Sequence, residues 1–220
     1  MKSVTLVWLA AAVLCTAGPA WSQVSLDGHI GTTGIGPDLQ YRLNDQFSVR
    51  GSADWLDLSA SRTYNSVSYS GRLQLLTGGA FLDWHPWSNA FFVSGGSYFG
   101  NRKMTLSATP AANVTLGGQS FTPAEVGRLD GDVKLGSTAP FVGLGFENQA
   151  AAASRGWGFK GVIGVALGGK PAVSLTSNGG TFTNTPQLQA ALIQEQANIA
   201  NKTSFLQYYP AVQAGVTYRF

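Results

Sequence analysis

The chain ends on a strand with two unlike faces. Val212, Ala214, Val216, Tyr218 and Phe220 alternate with Gln213, Gly215, Thr217 and Arg219. Successive side chains of a strand point to opposite sides, so this pattern gives one apolar face and one wetter face. A soluble domain seldom stops on such a strand with an aromatic as its last residue. A membrane-spanning barrel does, because its last strand pairs with its first and leaves no edge. Tyr218 and Phe220 also follow the terminal pattern of bacterial outer-membrane barrels, an aromatic end preceded by apolar residues at every second position.

The start of the chain predicts export. Met1-Lys2 is basic, Val4 to Leu14 is mostly apolar, and Gly18-Pro19 precedes Ala20-Trp21-Ser22. The apolar run is too short to span a membrane as a helix and has the length of a signal-peptide core. Residues 1–22 are therefore expected to be a cleaved signal peptide, with residues 23–220 as the barrel domain. Leu14 before Cys15 does not make a lipoprotein site, and the mature chain holds no cysteine and no disulfide.

Charged residues make up 11% of the 220-residue chain, against about 25% in soluble domains. No apolar run after residue 22 is long enough for a helical span. Alternating strands around a polar lumen reconcile these two facts. The net charge of +3 is too small to argue for nucleic acid, and no basic stripe with interleaved aromatics is present.

Two-faced segments recur along the chain. Phe47, Val49, Ala53 and Trp55 alternate with Ser48, Arg50, Ser52 and Asp54; Val67, Tyr69, Leu73 and Leu75 with Ser68, Ser70, Arg72 and Gln74. Similar alternation covers Asp38–Leu43, Val142–Glu147 and Trp157–Leu167, while the phase of Ala90–Leu106 is ambiguous. Joints at Asn44-Asp45, His85–Asn89 and Asn148–Arg155 are short; those near Asp57–Asn65, Ser107–Gly131 and Ser177–Thr203 are longer. Outer-membrane barrels alternate tight periplasmic turns with longer outer loops. If Phe220 ends at the periplasmic side, all the long connections lie outside, and Trp84, Trp87 and Trp157 form an aromatic girdle at the periplasmic rim. Val24–Leu43 is expected to supply two strands broken around Gly31–Gly36. The fold expectation is all-β, an eight-stranded antiparallel transmembrane β-barrel with long outer loops. Thr185 as N-cap, Pro186 at the first helical position and an apolar stripe of Leu188, Leu192 and Ile199 predict one short loop helix, about 186–201. It either packs on the barrel rim or plugs the mouth.

With the apolar faces in lipid, Asp38, Arg42, Arg50, Asp54, Arg72, Glu147, Lys160 and Arg219 are expected in the lumen. Desolvating a lone charge there costs several kcal/mol, so these groups are paired or hydrated. Two readings stay open: a static ion-pair core, or a polar path whose charges select small solutes. Hydrolysis of lipid at the outer rim would need a base beside a nucleophile. The histidines are His29, near the mature N-terminus, and His85, in a periplasmic turn. No catalytic residues, no metal site and no cofactor are expected.

The segments Gly31–Gly36, Ala139–Phe146, Gly156–Phe159, Gly169–Leu175 and Gly117–Thr122 resemble, in order over most of residues 28–220, the carbapenem-associated (CarO-type) ornithine-uptake porins. The resemblance implies an eight-stranded outer-membrane barrel and passage of basic amino acids such as ornithine. The leading expectation is a narrow channel or porin for small polar solutes in the outer membrane. The alternative is a non-conducting structural or surface-interaction barrel presenting extracellular loops. Expected partners are outer-membrane lipid and, through the C-terminal strand, the barrel-assembly machinery.

Overall fold

The computed structural model describes residues 23–64, 67–148 and 156–220. The signal-peptide expectation for residues 1–22 and the Asn148–Arg155 joint beyond Asn148 lie outside them. In chain order the strands are β1 (Val24–Gly31), β2 (Gly34–Arg42), β3 (Phe47–Tyr64), β4 (Val67–Trp84), β5 (Phe91–Thr109), β6 (Val114–Leu116) and β7 (Gln119–Phe121). A single helical turn, α1 (Pro123–Val126), follows, then β8 (Gly127–Lys134), β9 (Thr138–Glu147), β10 (Gly156–Leu167), β11 (Ala172–Gly179), helix α2 (Pro186–Lys202) and β12 (Tyr208–Arg219).

Eight of these strands close a ring in the order β1-β2-β3-β4-β5-β9-β10-β12, every neighbour antiparallel. The terminal strand seals it: Leu26 lies opposite Tyr218, and His29 opposite Gly215. Val24–Leu43 does divide in two, at Thr32-Thr33. Gly34 there has φ +129°, and a Cβ on it would stand 2.7 Å from the Trp55 carbonyl oxygen, so the bend requires glycine.

The joints follow local chemistry. Asn44 Oδ1 accepts hydrogen bonds from the backbone N–H of Gln46 (2.9 Å) and Phe47 (2.8 Å), which fixes the β2–β3 turn. Asn89 Oδ1 does the same for Phe91 N–H at 2.9 Å before β5. These mark the short-turn end of the barrel. At the other, long-loop end, the expected long connection near Asp57–Asn65 is replaced by strand: β3 and β4 run on as paired ladder to Tyr64 and Val67. The Ser107–Gly131 connection is mostly structured too, holding the β6–β7 hairpin, α1 and the start of β8.

β3, β4 and β5 thus rise beyond the ring, and β8 and β11 widen the rise by pairing in the order β5-β8-β11. The two faces exchange character along this extension. Within the ring, Trp55 and Leu76 lie opposite one another and face outward, while Asp54 and Thr77 face in. Two residue pairs further up, Asp57 lies opposite Gln74, then Lys103, then Lys134, so the outward face turns polar. The inward face turns apolar, in the row Leu58, Leu73, Met104, Val133 and Val173. The adjacent apolar pairs Trp55-Leu56 and Leu75-Leu76 mark the exchange.

α2 begins as expected: Thr185 Oγ1 accepts from Leu188 N–H at 3.4 Å, with Pro186 in the first turn. Its buried Leu188, Ala191 and Leu192 join Leu116, Phe121 and Val126 in a satellite core, with Leu129 and Leu175 from the extension packed against it. The helix therefore packs on the extension, and Glu195 Oε2 ties it to the β6–β7 turn by accepting from Gly117 N–H at 3.1 Å.

Candidate functional site

Inward side chains of the ring form two halves. One is apolar and aromatic: Phe81, Phe92, Tyr98 and Phe141 pack with Ala139, Val162, Ala166 and Ala211. Phe81, Tyr98 and Phe141 meet edge to face, with centroids 4.9–5.5 Å apart. The other half, carried chiefly by β1, β2, β3 and β12, is a connected set of charges.

Arg50 stands where the halves meet. Its Nε donates to Asp83 Oδ2 (3.0 Å), Nη1 to Asp38 Oδ2 (3.1 Å) and Nη2 to Ser94 Oγ (3.2 Å), while the guanidinium lies 4.3 Å from the Phe81 ring centroid. Ser94 in turn donates to Asp83 Oδ1. The fork shape of arginine suits this threefold engagement, which a lysine ammonium would not reproduce.

His29 is held between two carboxylates, with Nδ1 3.2 Å from Asp38 Oδ1 and Nε2 2.6 Å from Asp54 Oδ1. Asp54 also accepts from Thr33 (3.2 Å) and Ser52 (3.1 Å) hydroxyls, and Gln213 Nε2 donates to Thr33 Oγ1 at 2.8 Å. Toward the short-turn end, Lys160 Nζ donates to Asp27 Oδ2 (3.1 Å) and to Gln40 Oε1. Gln40 Nε2 donates to Ser48 Oγ (3.0 Å) and Glu147 Oε2 (3.3 Å), and Arg219 lies 3.8 Å from Glu147.

This interior is filled. Asp27, Gln40, Arg50, Asp54, Asp83 and Thr217 are each at most 2% exposed. A lumen as wide as a water molecule beside them would leave them accessible, so the barrel is packed at this level, as eight strands allow.

Of the sequence-predicted lumen charges, Asp38, Arg50, Asp54, Glu147, Lys160 and Arg219 are buried inside the ring, and Arg42 is half-buried at its short-turn end. Arg72 is placed elsewhere: it sits on the outward face of the extension, more than half exposed, and its Nη2 donates to Asp57 Oδ2 at 2.6 Å. The reason is the exchange of faces, since Leu73 and Leu75 point inward here and their polar neighbours point out. Asp27, His29, Gln40, Asp83 and Gln213 complete the network without having been singled out. The alternation of Leu26, Gly28 and Ile30 with Ser25, Asp27 and His29 carries the signal for two of them. Asp83 is masked by apolar residues on both faces of Phe81–Trp84.

Trp84, Trp87 and Trp157 are exposed at the short-turn end, where Trp157 stacks on Tyr218 (5.0 Å) and Tyr218 meets Phe220 (5.1 Å). Among the described residues, no cluster of three or more histidine, cysteine, aspartate or glutamate side chains is arranged to hold a metal ion.

No protein-family model matches the sequence, and no curated protein matches it. Solved structures do. The crystal structure of Acinetobacter baumannii CarO2 superposes with a TM-score of 0.64 at 24% identity, covering 90% of this chain and 98% of that one. That of Acinetobacter baumannii CarO gives 0.63 at 23% identity, with the same coverage. The chain has the CarO-type barrel fold.

Proposed function

We propose that this protein is an outer-membrane barrel with a closed interior, which presents the sheet extension and α2 at the cell surface. The observation that carries the membrane placement is the apolar belt around the ring. Leu26, Ile35, Trp55, Leu82, Phe99, Leu144, Ile163 and Val216, one from each ring strand, are outward and exposed. In water a continuous belt of this kind would far exceed the few hundred Å² that soluble monomers tolerate. On β3, β4 and β5 the belt runs over Phe47–Trp55, Leu76–Trp84 and Phe91–Phe99, which matches the roughly 9–11 residues of a tilted membrane strand. The aromatic cluster of Trp84, Trp87, Trp157 and Tyr218 fits an interfacial girdle on the periplasmic side.

The buried network favours the non-conducting reading over a porin for ornithine or other basic amino acids. An ion path needs hydrated or exchangeable charges, and these are locked to one another. In this reading residues 1–22 direct export, and β12, with Tyr218 and Phe220, is the segment handed to the assembly machinery.

Refolded protein in planar bilayers and swelling liposomes tests this. The expectation is no steady conductance and no swelling with ornithine, lysine, glutamate or glucose. Sustained flux of any of them would refute the closed interior. A band that migrates identically before and after boiling would refute the barrel itself.

A further inference from the structure

Arg102 is a buried cation without a carboxylate. It lies on the inward face of β5, opposite Leu75, at the level where that face turns apolar, and it is 6% exposed. The hydrogen bond found for its guanidinium runs from Nη2 to the Gly136 carbonyl, and its buried Nε has no acceptor. All eleven acidic side chains of the sequence belong to the described residues, and none forms an ion pair with it. Burying an unpaired charge is costly, so a fold that keeps one has a reason to do so.

The surface above Arg102 is apolar. Leu58, Met104 and Leu106 continue the inward face, and they stay 56%, 37% and 49% exposed. The satellite core under α2 covers the far end of the same face, through Leu129 and Leu175, and stops short of these three. The nearby Asp57 is on the opposite, outward face, where Arg72 holds it at 2.6 Å.

We propose that the uncovered half of this face, with Arg102 at its foot, binds a small carboxylate that carries an apolar body, aromatic or aliphatic. The carboxylate accepts from the free edge of the guanidinium, and the apolar body lies along Leu58, Met104 and Leu106. Charge-assisted bonds to a buried arginine supply orientation, and the leucines supply contact area. The site is at the mouth of the barrel and requires no passage through it, so it goes beyond the closed-barrel reading and stands whether or not the interior conducts.

The test uses the full mature chain in lipid nanodiscs and the fluorine NMR signal of para-trifluoromethylbenzoate, with empty nanodiscs subtracted. Para-trifluoromethylbenzyl alcohol is the neutral probe. The benzoate is expected to bind saturably, and the alcohol at least about tenfold more weakly, as loss of a bond to a charged group implies. Arg102→Gln is expected to weaken the benzoate by at least about tenfold. Leu106→Gln alters a side chain that is already exposed, so the barrel stays intact; it is expected to weaken the benzoate about fivefold through lost apolar contact. If Arg102→Gln does not refold, the alcohol comparison and Leu106→Gln decide. Absence of saturable binding, equal binding of both probes, or unchanged binding by either variant overturns the proposal.

Discussion

Replacing Arg50 with methionine tests whether the interior is a single charge network. Methionine keeps much of the volume and removes the cation. Three bonds are lost at once, to Asp83 (3.0 Å), Asp38 (3.1 Å) and Ser94 (3.2 Å). Breaking a buried pair from one side costs about 3–5 kcal/mol, because the partner is left charged and dry. Here each carboxylate keeps some company: Asp38 still faces His29, and Asp83 still accepts from Ser94. The loss is therefore placed at the low end, about 3 kcal/mol. With a urea slope of about 2 kcal/mol/M, the unfolding midpoint falls by about 1.5 M. Tryptophan emission and gel mobility of vesicle-embedded protein, titrated with urea, both follow it. The double variant Arg50→Met, Asp83→Asn removes the cation and one stranded anion together. It is expected to be more stable than the sum of the single losses by about 1–3 kcal/mol. A single-variant loss below about 1 kcal/mol, or strict additivity, would refute the network as a coupled unit.

Other expectations probe different layers. Phe92→Ala empties the aromatic half at a side chain with no exposure, and is expected to cost about 3–5 kcal/mol in the same titration. Arg72→Gln acts on an exposed pair outside the ring, and is expected to leave the midpoint unchanged; a clear drop would return Arg72 to the structural core. On the extension, hydrogen bonds from Ser107, then Asn178 and Arg128, hold the Asp130 carboxyl below the ordinary carboxylate range. A depressed folded value means its contribution is present above the unfolded pKa of about 3.9 and is lost as the pH falls through the folded one. Hydrogen-exchange protection in β8 and β11, corrected for the intrinsic exchange rate, should therefore be flat across neutral pH and fall only below about pH 4, with Ser107→Ala shrinking that acid response.

What could be read from the sequence was set by where one rule held throughout a segment. β1, β2, β9, β10 and β12 stay within the ring, so a single period-two phase sorts their faces, and Asp38, Glu147, Lys160 and Arg219 fall where alternation puts them. The α2 cap was legible because Thr185-Pro186 is local chemistry. β3, β4 and β5 cross from one surrounding to another, and no single phase describes them. The phase of the inner half of β4, carried into its outer half, puts Arg72 on the wrong face. The Asp57–Asn65 stretch reads as a loop because Asp57, Ser59 and Ser61 are polar, yet they lie on the outward face of a ladder that pairs as far as Tyr64 and Val67. Arg102 gave no sequence signal, since its significance lies in the absence of a carboxylate nearby in space.

The exchange of faces at Trp55-Leu56 and Leu75-Leu76 has a mechanical consequence. It works as a waterline cut into the sheet. If the barrel sank by two residue pairs, Asp57, Gln74, Lys103 and Lys134 would enter hydrocarbon; if it rose by as much, Trp55 and Leu76 would meet water. Either displacement is opposed by several side chains at once, on adjacent strands, at one height. In the proposed membrane placement, the depth of the barrel is thus set by its own strands. In that placement Arg102, at the same level, is held at a constant distance from the lipid surface.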